Sequence, residues 1–553
     1  VKKPLEVLKL YPEHDYTLHG AFESRLKGDP ERPFLWFAGR TWSWAEFGRA
    51  AERAACLFAA KGVKRGDRVA VMARNHEGHV LALFGLARLG AILVPVNPDY
   101  GVQEAKYVLH HAEVSGVIAA SDTFETARRA CEGLAAAPWF MLLDAGRHDA
   151  PLFLDLVERA PRGVLPDDVG ADDTCLIIYT SGTTGFPKGA MHAQRSFVLC
   201  GEAFVQRVYL QPEERVMIVL PLFHVNALFY SLAGVLAAGC AAVVVPRFSA
   251  STFWDTAVET GATEVNVIEA IGTILRNRPR SEFRKEHRIR KVYGVRQAMV
   301  ETFLNEFGIP HLIGGFGMTE IPGVTCTPFE GPVKPGSMGP VGRHPDPARP
   351  WAQCRVLDEA GRDVGANEVG ELAVKTPIVM QGYFRDPAQT QAAFRDGWFL
   401  TGDLVRRDED GWFYFVGRKK DIIRRRGENI SGAELDRVIG EHPAVHEAAA
   451  IAVPSELGED EILVAVTLKP GRSCSAQDVA DWTRRHLAPH KVPRYVAFVD
   501  ELPHTPTHKV QKAALRADAS LRAKAIDLQA DHPSPGSGFD VQGSKRTTRN
   551  TEP

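Results

Sequence analysis

The feature that most constrains this chain is a repeated order of short apolar strand, helix and short apolar strand through its first four hundred residues. Ser43-Trp44-Ala45-Glu46 has the form of a capping box, in which serine and glutamate satisfy free backbone donors at a helix start. Phe47, Ala51, Ala54 and Phe58 then fall on one helical face, and Gly62 is placed to end the helix. A strand is expected over Val69–Met72, a helix up to Leu89 closed by Gly90, and a strand over Ile92–Val96 stopped by Pro98. Arg215–Leu220, Ala227–Ala238 and Ala241–Val245 repeat the order. Units of this kind build an α/β fold, a mainly parallel sheet covered by helices.

A chain of 553 residues exceeds what one compact core holds, so two or more packed units are expected. The texture changes at Gly417, where Arg418-Lys419-Lys420-Asp421 and Arg424-Arg425-Arg426-Gly427 follow as dense charge. Beyond it, strands near Ala448–Val453 and Leu463–Leu468 and a helix opening at Ser475 read as a smaller α+β region. The expected division is a large N-terminal domain over 1–417, made of several α/β subdomains, and a small domain over 418–525. Residues 526–553 are expected to form a disordered tail, rich in Pro, Ser, Gly, Thr and Arg from Asp531 onward.

Charge excludes one class of function. Lys plus Arg (66) nearly balances Asp plus Glu (68), which leaves no basic footprint for nucleic acid. The eight cysteines show no metal-type spacing; Cys175 and Cys240 lie in apolar runs as core fillers. Reduced thiols, an opening Val1-Lys2-Lys3 without an apolar signal region and a Thr551-Glu552-Pro553 end suggest a cytoplasmic protein. From Ala227 to Pro246 no charge occurs, long enough on paper to span a bilayer. Gly234, Gly239 and Pro246 punctuate it, so a buried helix and strand are expected and no membrane span.

The densest chemical signal is Tyr179-Thr180-Ser181-Gly182-Thr183-Thr184-Gly185-Phe186-Pro187-Lys188-Gly189, after the apolar Cys175–Ile178. Hydroxyls, glycines and one lysine in a short loop suit a polyphosphate, since N–H and O–H groups donate while Lys188 supplies charge. It is not a Walker A loop, which needs glycine directly before the lysine where Pro187 stands. A polar surface turn is the plainer reading of such a loop, and its density after a buried strand speaks against that.

With this loop the chain resembles the adenylate-forming (AMP-binding) superfamily of acyl-CoA synthetases, luciferases and peptide-synthetase adenylation domains, from Thr17 to Arg516. Phe316-Gly317-Met318-Thr319-Glu320 is similar to the family's adenine and magnesium motif, and Thr401-Gly402-Asp403 to its ribose motif. Gly417-Arg418-Lys419-Lys420-Asp421 resembles the hinge motif, and Thr505-Pro506-Thr507-His508-Lys509 the loop with the catalytic lysine. The resemblance implies an acid–thiol ligase that uses ATP, Mg²⁺, coenzyme A and a carboxylic acid, with a mobile C-terminal lid. It implies phosphate contacts by Thr180, Ser181, Gly182, Thr183, Thr184 and Lys188, adenine stacking on Phe316, and magnesium on Glu320 and Thr180. Asp403 would bind both ribose hydroxyls with Arg418 beside it, and Lys509 would stabilise the transferring phosphate. His224 would line the acyl pocket; Lys420 would be the hinge; Gly427 and Glu428 would shape the coenzyme A side.

An aspartate that holds the α-amino group in amino-acid-activating relatives is absent beside His224, which argues against an amino-acid substrate. Three positions depart from the family pattern. His508 replaces a glycine, Gly294-Val295-Arg296-Gln297 stands where Gly-Gly-Ala-Pro flanks the adenine, and Phe316 replaces a tyrosine. The second departure, with Glu428-Asn429-Ile430-Ser431, resembles the crotonobetaine/carnitine-CoA ligase branch. Gly314 and Gly315 suggest room for the acid, or close packing. Two alternatives stay open: transfer to a carrier-protein pantetheine, and a catalytically silent acyl- or nucleotide-binding protein. The sequence leaves the oligomeric state open, a homodimer included.

Overall fold

The computed structural model describes residues 1–529 apart from 147, 162, 181–186, 426–427, 456–459 and 505–509. The described chain divides between Lys420 and Asp421 into a large first unit and a second unit over Asp421–Pro503 that resumes at Val510.

In the first unit the expected capping box forms: the Glu46 N–H donates to Ser43 Oγ (3.1 Å) and the Ser43 N–H to Glu46 Oε2 (2.9 Å). Helix Trp44–Ala60 buries Trp44, Phe47, Ala54 and Phe58 and is followed by Gly62 at φ +82°. Helix Glu77–Ala87 is buried along its whole length, which explains why it shows no polar face. Two seven-stranded sheets carry the unit. One runs, in spatial order, Gly382–Tyr383, Lys188–Ala193, Thr174–Thr180, Ile92–Val96, Arg68–Met72, Gly116–Ala119 and Trp139–Leu142. Its last five strands are parallel, and the two at the Lys188 edge are antiparallel. The other is parallel from His311–Ile313 through Lys291–Tyr293, Glu264–Asn266, Arg215–Ile218 and Ala241–Val244 to Pro33–Phe37, and ends on antiparallel Arg40–Ser43.

The uncharged run is buried from Ala227 to Val244. It forms a π-helix over Asn226–Leu232, an α-helix over Ala233–Ala238 and strand Ala241–Val244. Among the described residues no helix is long and apolar enough to cross a membrane. Strand–helix alternation does not persist to residue 400: Gln353–Leu357, Val369–Lys375, Phe394–Arg395, Trp398–Arg407 and Phe413–Arg418 form an antiparallel sheet. Tight turns cause this. Asp358 to Arg362 and Asp408 to Trp412 close hairpins through backbone bonds of 2.9 and 3.0 Å.

The second unit has Val445–Pro454 antiparallel to Asp460–Leu468, which is parallel to Tyr495–Phe498. Helices Gly432–Gly440 and Ala476–His486 contribute buried faces, and Ser475 caps the latter by accepting from the Asp478 N–H (3.1 Å). Ile526 and Asp527, expected within the tail, instead add a short strand to Tyr495–Phe498. The pair Arg494–Asp527 (3.0 Å) fastens it, a partnership that composition does not reveal.

Candidate nucleotide and acid site

Strand Thr174–Thr180 is buried except at its ends and delivers Thr180 to the polar loop. The chain returns as Lys188–Ala193, with Thr180 opposite Lys188 and the Thr180 hydroxyl donating to the Lys188 carbonyl (3.4 Å). The Lys188 ammonium donates to Gln389 Oε1 (2.7 Å) and stands 4.9 Å from the Tyr383 ring centroid. Gln389 is held by helix Pro387–Ala393, capped where its N–H donates to Asp386 Oδ1 (3.0 Å). A cation on an aromatic face, with one amide beside it, is fixed in place without being neutralised.

Phe316, Gly317 and Met318 lie on strand Gly315–Met318, which pairs with Ile321–Cys326 across a turn at Thr319 and Glu320. The Glu320 side chain is buried, 6 % exposed, and Oε1 accepts the Tyr383 hydroxyl (2.7 Å). Burial and the Glu320 charge push Tyr383 far above the ordinary phenol range, so it stays a donor. The turn is also held from below: His192 Nε2 lies 2.8 Å from the Thr319 carbonyl. Burial pushes His192 down to about 4, so the neutral ring carries its proton toward that carbonyl. Tyr383, His192 and Gln389 thus hold candidate site residues in place and are absent from the motif reading. Gly382-Tyr383 ahead of an Asp-Pro helix start was a weak signal for the first; the other two gave none.

Asp403 and Arg418 are cross-strand neighbours on Trp398–Arg407 and Phe413–Arg418. Arg418 Nε pairs with Asp403 Oδ1 at 2.6 Å; the aspartate side chain is 0 % exposed and the arginine 40 %. The Asp403 N–H donates to Thr401 Oγ1 (3.1 Å), and the Thr401 hydroxyl to the Leu372 carbonyl (2.8 Å), which sets the carboxylate rigidly. Glu371 accepts from the Gly402 N–H (3.1 Å) and from Lys419 (2.8 Å), so the charges of the motif are arranged in order.

Gly294 and Val295 donate backbone bonds to Ile313 (2.8 and 3.3 Å), just before Gly314, so the proposed adenine edge adjoins the Phe316 strand. Gly294 has φ +95°, and a Cβ there would lie 2.0 Å from the Val267 carbonyl oxygen, so only glycine fits. Arg296 is exposed at the start of the turn Gln297–Met299. His224 is half-buried, its ring 4.4 Å from that of Phe223, and it leads into the π-helix. Lys420 is exposed in the turn Lys419–Asp421, and Glu428 is exposed opposite Arg425 in a hairpin of the second unit. Ser181, Gly182, Thr183, Thr184, Gly427, His508 and Lys509 lie outside the described residues.

Among the described residues no three His, Cys, Asp or Glu side chains group to hold a metal unaided. Magnesium needs no such group where a polyphosphate is bound, because one or two carboxylates, phosphate oxygens and waters complete its shell. A single buried, oriented Glu320 carboxylate fits that donor set.

Residues 22–384 match the family described as AMP-binding enzyme, and residues 434–509 match the AMP-binding enzyme C-terminal domain. The sulfoacetate–CoA ligase of Cupriavidus necator is 33 % identical over 91 % of this chain and 98 % of its own. The oxalate–CoA ligase of Arabidopsis thaliana is 33 % identical over 90 % of this chain and 97 % of its own. Crotonobetaine/carnitine–CoA ligases are also similar, that of Proteus mirabilis at 28 % identity over 86 % of this chain and 93 % of its own. The solved structure of ATP-bound MatB from Rhodopseudomonas palustris superposes with a TM-score of 0.80 at 28 % identity, covering 91 % of this chain and 98 % of that one. With both family matches in order along the chain, and relatives matched over nearly their whole length, this protein belongs to the AMP-binding enzyme family.

Proposed function

We infer that this chain is an ATP-dependent acyl-CoA ligase. A carboxylate attacks the α-phosphorus of ATP, pyrophosphate leaves, and the resulting mixed anhydride is opened by the thiol of coenzyme A with release of AMP. The observation that carries this reading is Tyr383, whose ring faces Lys188 while its hydroxyl holds Glu320. It joins the polyphosphate lysine and the metal carboxylate in one rigid frame, as charge stabilisation without reorganisation requires.

In this reading Lys188, Thr180 and the loop hydroxyls bind the polyphosphate, Phe316 stacks on adenine, and Asp403 accepts the ribose hydroxyls with Arg418 alongside. Glu320 and Thr180 would hold magnesium, which offsets the phosphate charge when bound. Lys509 places its ammonium at the transferring phosphate during adenylation. His224 borders the acid, Lys420 is the pivot that withdraws Lys509, and Gly427 and Glu428 shape the thiol approach. Two relatives are named for sulfoacetate and oxalate, acids with two anionic groups, so such acids belong in a test panel with plain monoacids. The test is acid-dependent ATP–pyrophosphate exchange followed by AMP release with coenzyme A as sole acceptor. Exchange without AMP release would favour a carrier-protein acceptor, and no exchange with any acid would favour a silent binding protein.

A further inference from the structure

Arg207, on helix Gln194–Val208, is only 3 % exposed, and no ion pair joins it to a carboxylate among the described residues. Its Nη2 donates to the Gly323 carbonyl (2.6 Å), and its guanidinium carbon lies 5.3 Å from the Tyr230 ring centroid. Nε and Nη1 have no oxygen or nitrogen acceptor among the described residues, and only the weakly accepting Cys200 thiol stands near enough to the guanidinium to share a hydrogen bond with it. The ionisable groups around it are Tyr230, Tyr293, Cys200 and Cys326, none of which neutralises it. Burial pushes both thiols up to about 12, and both phenols rise above their usual range for the same reason. A buried arginine stays charged, and an unpaired buried charge is strongly unfavourable.

The cluster converges on the hairpin that bears Phe316 to Glu320. A Cβ at Gly323 would lie 2.0 Å from Arg207 Nη2, one at Gly317 2.4 Å from Tyr230 Oη, and one at Gly315 2.7 Å from Tyr293 Oη. The three glycines therefore admit the three polar tips. Strand Gly315–Met318 is partly exposed, although its partner Ile321–Cys326 is wholly buried. Tyr230 also lies on the π-helix that starts two residues after His224, a backbone irregularity of the kind often kept at functional sites.

We propose that Arg207 anchors a second oxyanion on the acid, so that this chain activates short acids carrying an additional carboxylate or sulfonate, with Tyr230 and Tyr293 as flanking donors. This rests on the ligase reading above. A buried cation that loses its anion, or the reverse, weakens binding strongly, so a preference of about 100-fold is the scale to expect.

The test uses the full chain, its Arg207→Met variant, which keeps volume and removes charge, and Arg207→Lys, which keeps charge. Matched acids (malonate with butanoate, succinate with pentanoate, and sulfoacetate) are scored by pyrophosphate exchange and, separately, by the melting shift each acid produces. The wild type should favour the doubly anionic member about 100-fold in kcat/KM. Arg207→Met should lose that preference while melting no lower than wild type without acid; Arg207→Lys should retain part of it. A wild-type preference for monoacids, or an unchanged ratio in Arg207→Met, overturns the anchor while leaving the ligase intact. If no acid supports exchange, the ligase reading fails, and the melting shifts decide the anchor alone. A shift from doubly anionic acids in wild type but not in Arg207→Met supports it, and none in either refutes it. Should Arg207→Met not fold, the wild-type ratio decides.

Discussion

Removing the Tyr383 hydroxyl should slow adenylation far more than thioester formation. Tyr383→Phe keeps the ring under Lys188, 4.9 Å from its ammonium, and deletes only the 2.7 Å bond to Glu320. Hydrogen bonds to charged groups contribute about 1.5–3 kcal/mol, and Glu320 at 6 % exposure has little water to replace the lost donor. At about 1.4 kcal/mol per decade, the expected loss is roughly 10- to 150-fold in the adenylation rate. Acid-dependent pyrophosphate exchange measures the first half-reaction; preformed acyl-AMP mixed with coenzyme A isolates the second, which should stay within about threefold. Because losing a group that orients a metal-binding carboxylate typically lowers metal affinity about 10–100-fold, the magnesium concentration for half-maximal exchange should rise as well. Glu320→Ala supplies the control, since glutamine would still accept the tyrosine hydroxyl: if the bond is the cause, the double variant is no worse than Glu320→Ala alone. Wild-type exchange in Tyr383→Phe, or equal losses in both half-reactions, would refute the reasoning.

Three further outcomes are expected. Lys509→Ala should cut adenylation by about 10²–10³ while sparing the reaction of synthetic acyl-AMP with coenzyme A, since one preorganised cation is missing only when phosphate charge develops; equal losses would remove it from the proposed role. Asp403→Asn should raise the KM for ATP without changing the rank order of acids, because the fully buried carboxylate is paired with Arg418 and is assigned to ribose; a reordered acid panel would count against that. In Glu202, burial alone would raise the carboxyl, but hydrogen bonds from His14 and His344 outweigh it and hold the group at about 2 against an ordinary 4.5. A depressed carboxyl adds stability above its unfolded value that disappears as pH falls toward its folded one. Glu202→Gln should therefore cost about 3 kcal/mol at pH 7, with the gap to wild type closing between about pH 4.5 and 2; urea midpoints that keep a constant gap from pH 5 to 3 would overturn this.

What could be read in advance was what local sequence controls. Ile92–Val96 forms where expected because a short apolar run with three β-branched residues stands between Gly90 and Pro98, and Ser43 and Ser475 cap because both partners of each cap lie within three residues. The π-helix at Asn226–Leu232 was invisible for the opposite reason. That segment is uncharged and mixes Asn226 and Ser231 among its apolar residues, so no hydrophobic face records whether a turn holds one residue more. The antiparallel sheet after Gln353 was missed because its hairpin turns lie inside a region already read as alternating units.

The same division runs through the site. Side chains that touch phosphate, ribose or metal must be of certain types in a certain order, so motifs expose them. Their supports carry no such requirement and lie far off in the chain: Tyr383 is 63 residues from Glu320, His192 is 127 from Thr319, and Gln389 is 201 from Lys188. Arg207 is the extreme case. In the sequence it is one of 66 basic residues and reads as an ordinary helical arginine near a C-terminus, where a cation is favourable. What gives it meaning is that it is buried among neutral phenols and thiols, with no carboxylate paired to it among the described residues. That is a statement about which charges are missing from a small volume, and it needs coordinates for every element packed around the guanidinium. A substrate preference set by such a residue therefore lies outside the motifs that reveal the reaction.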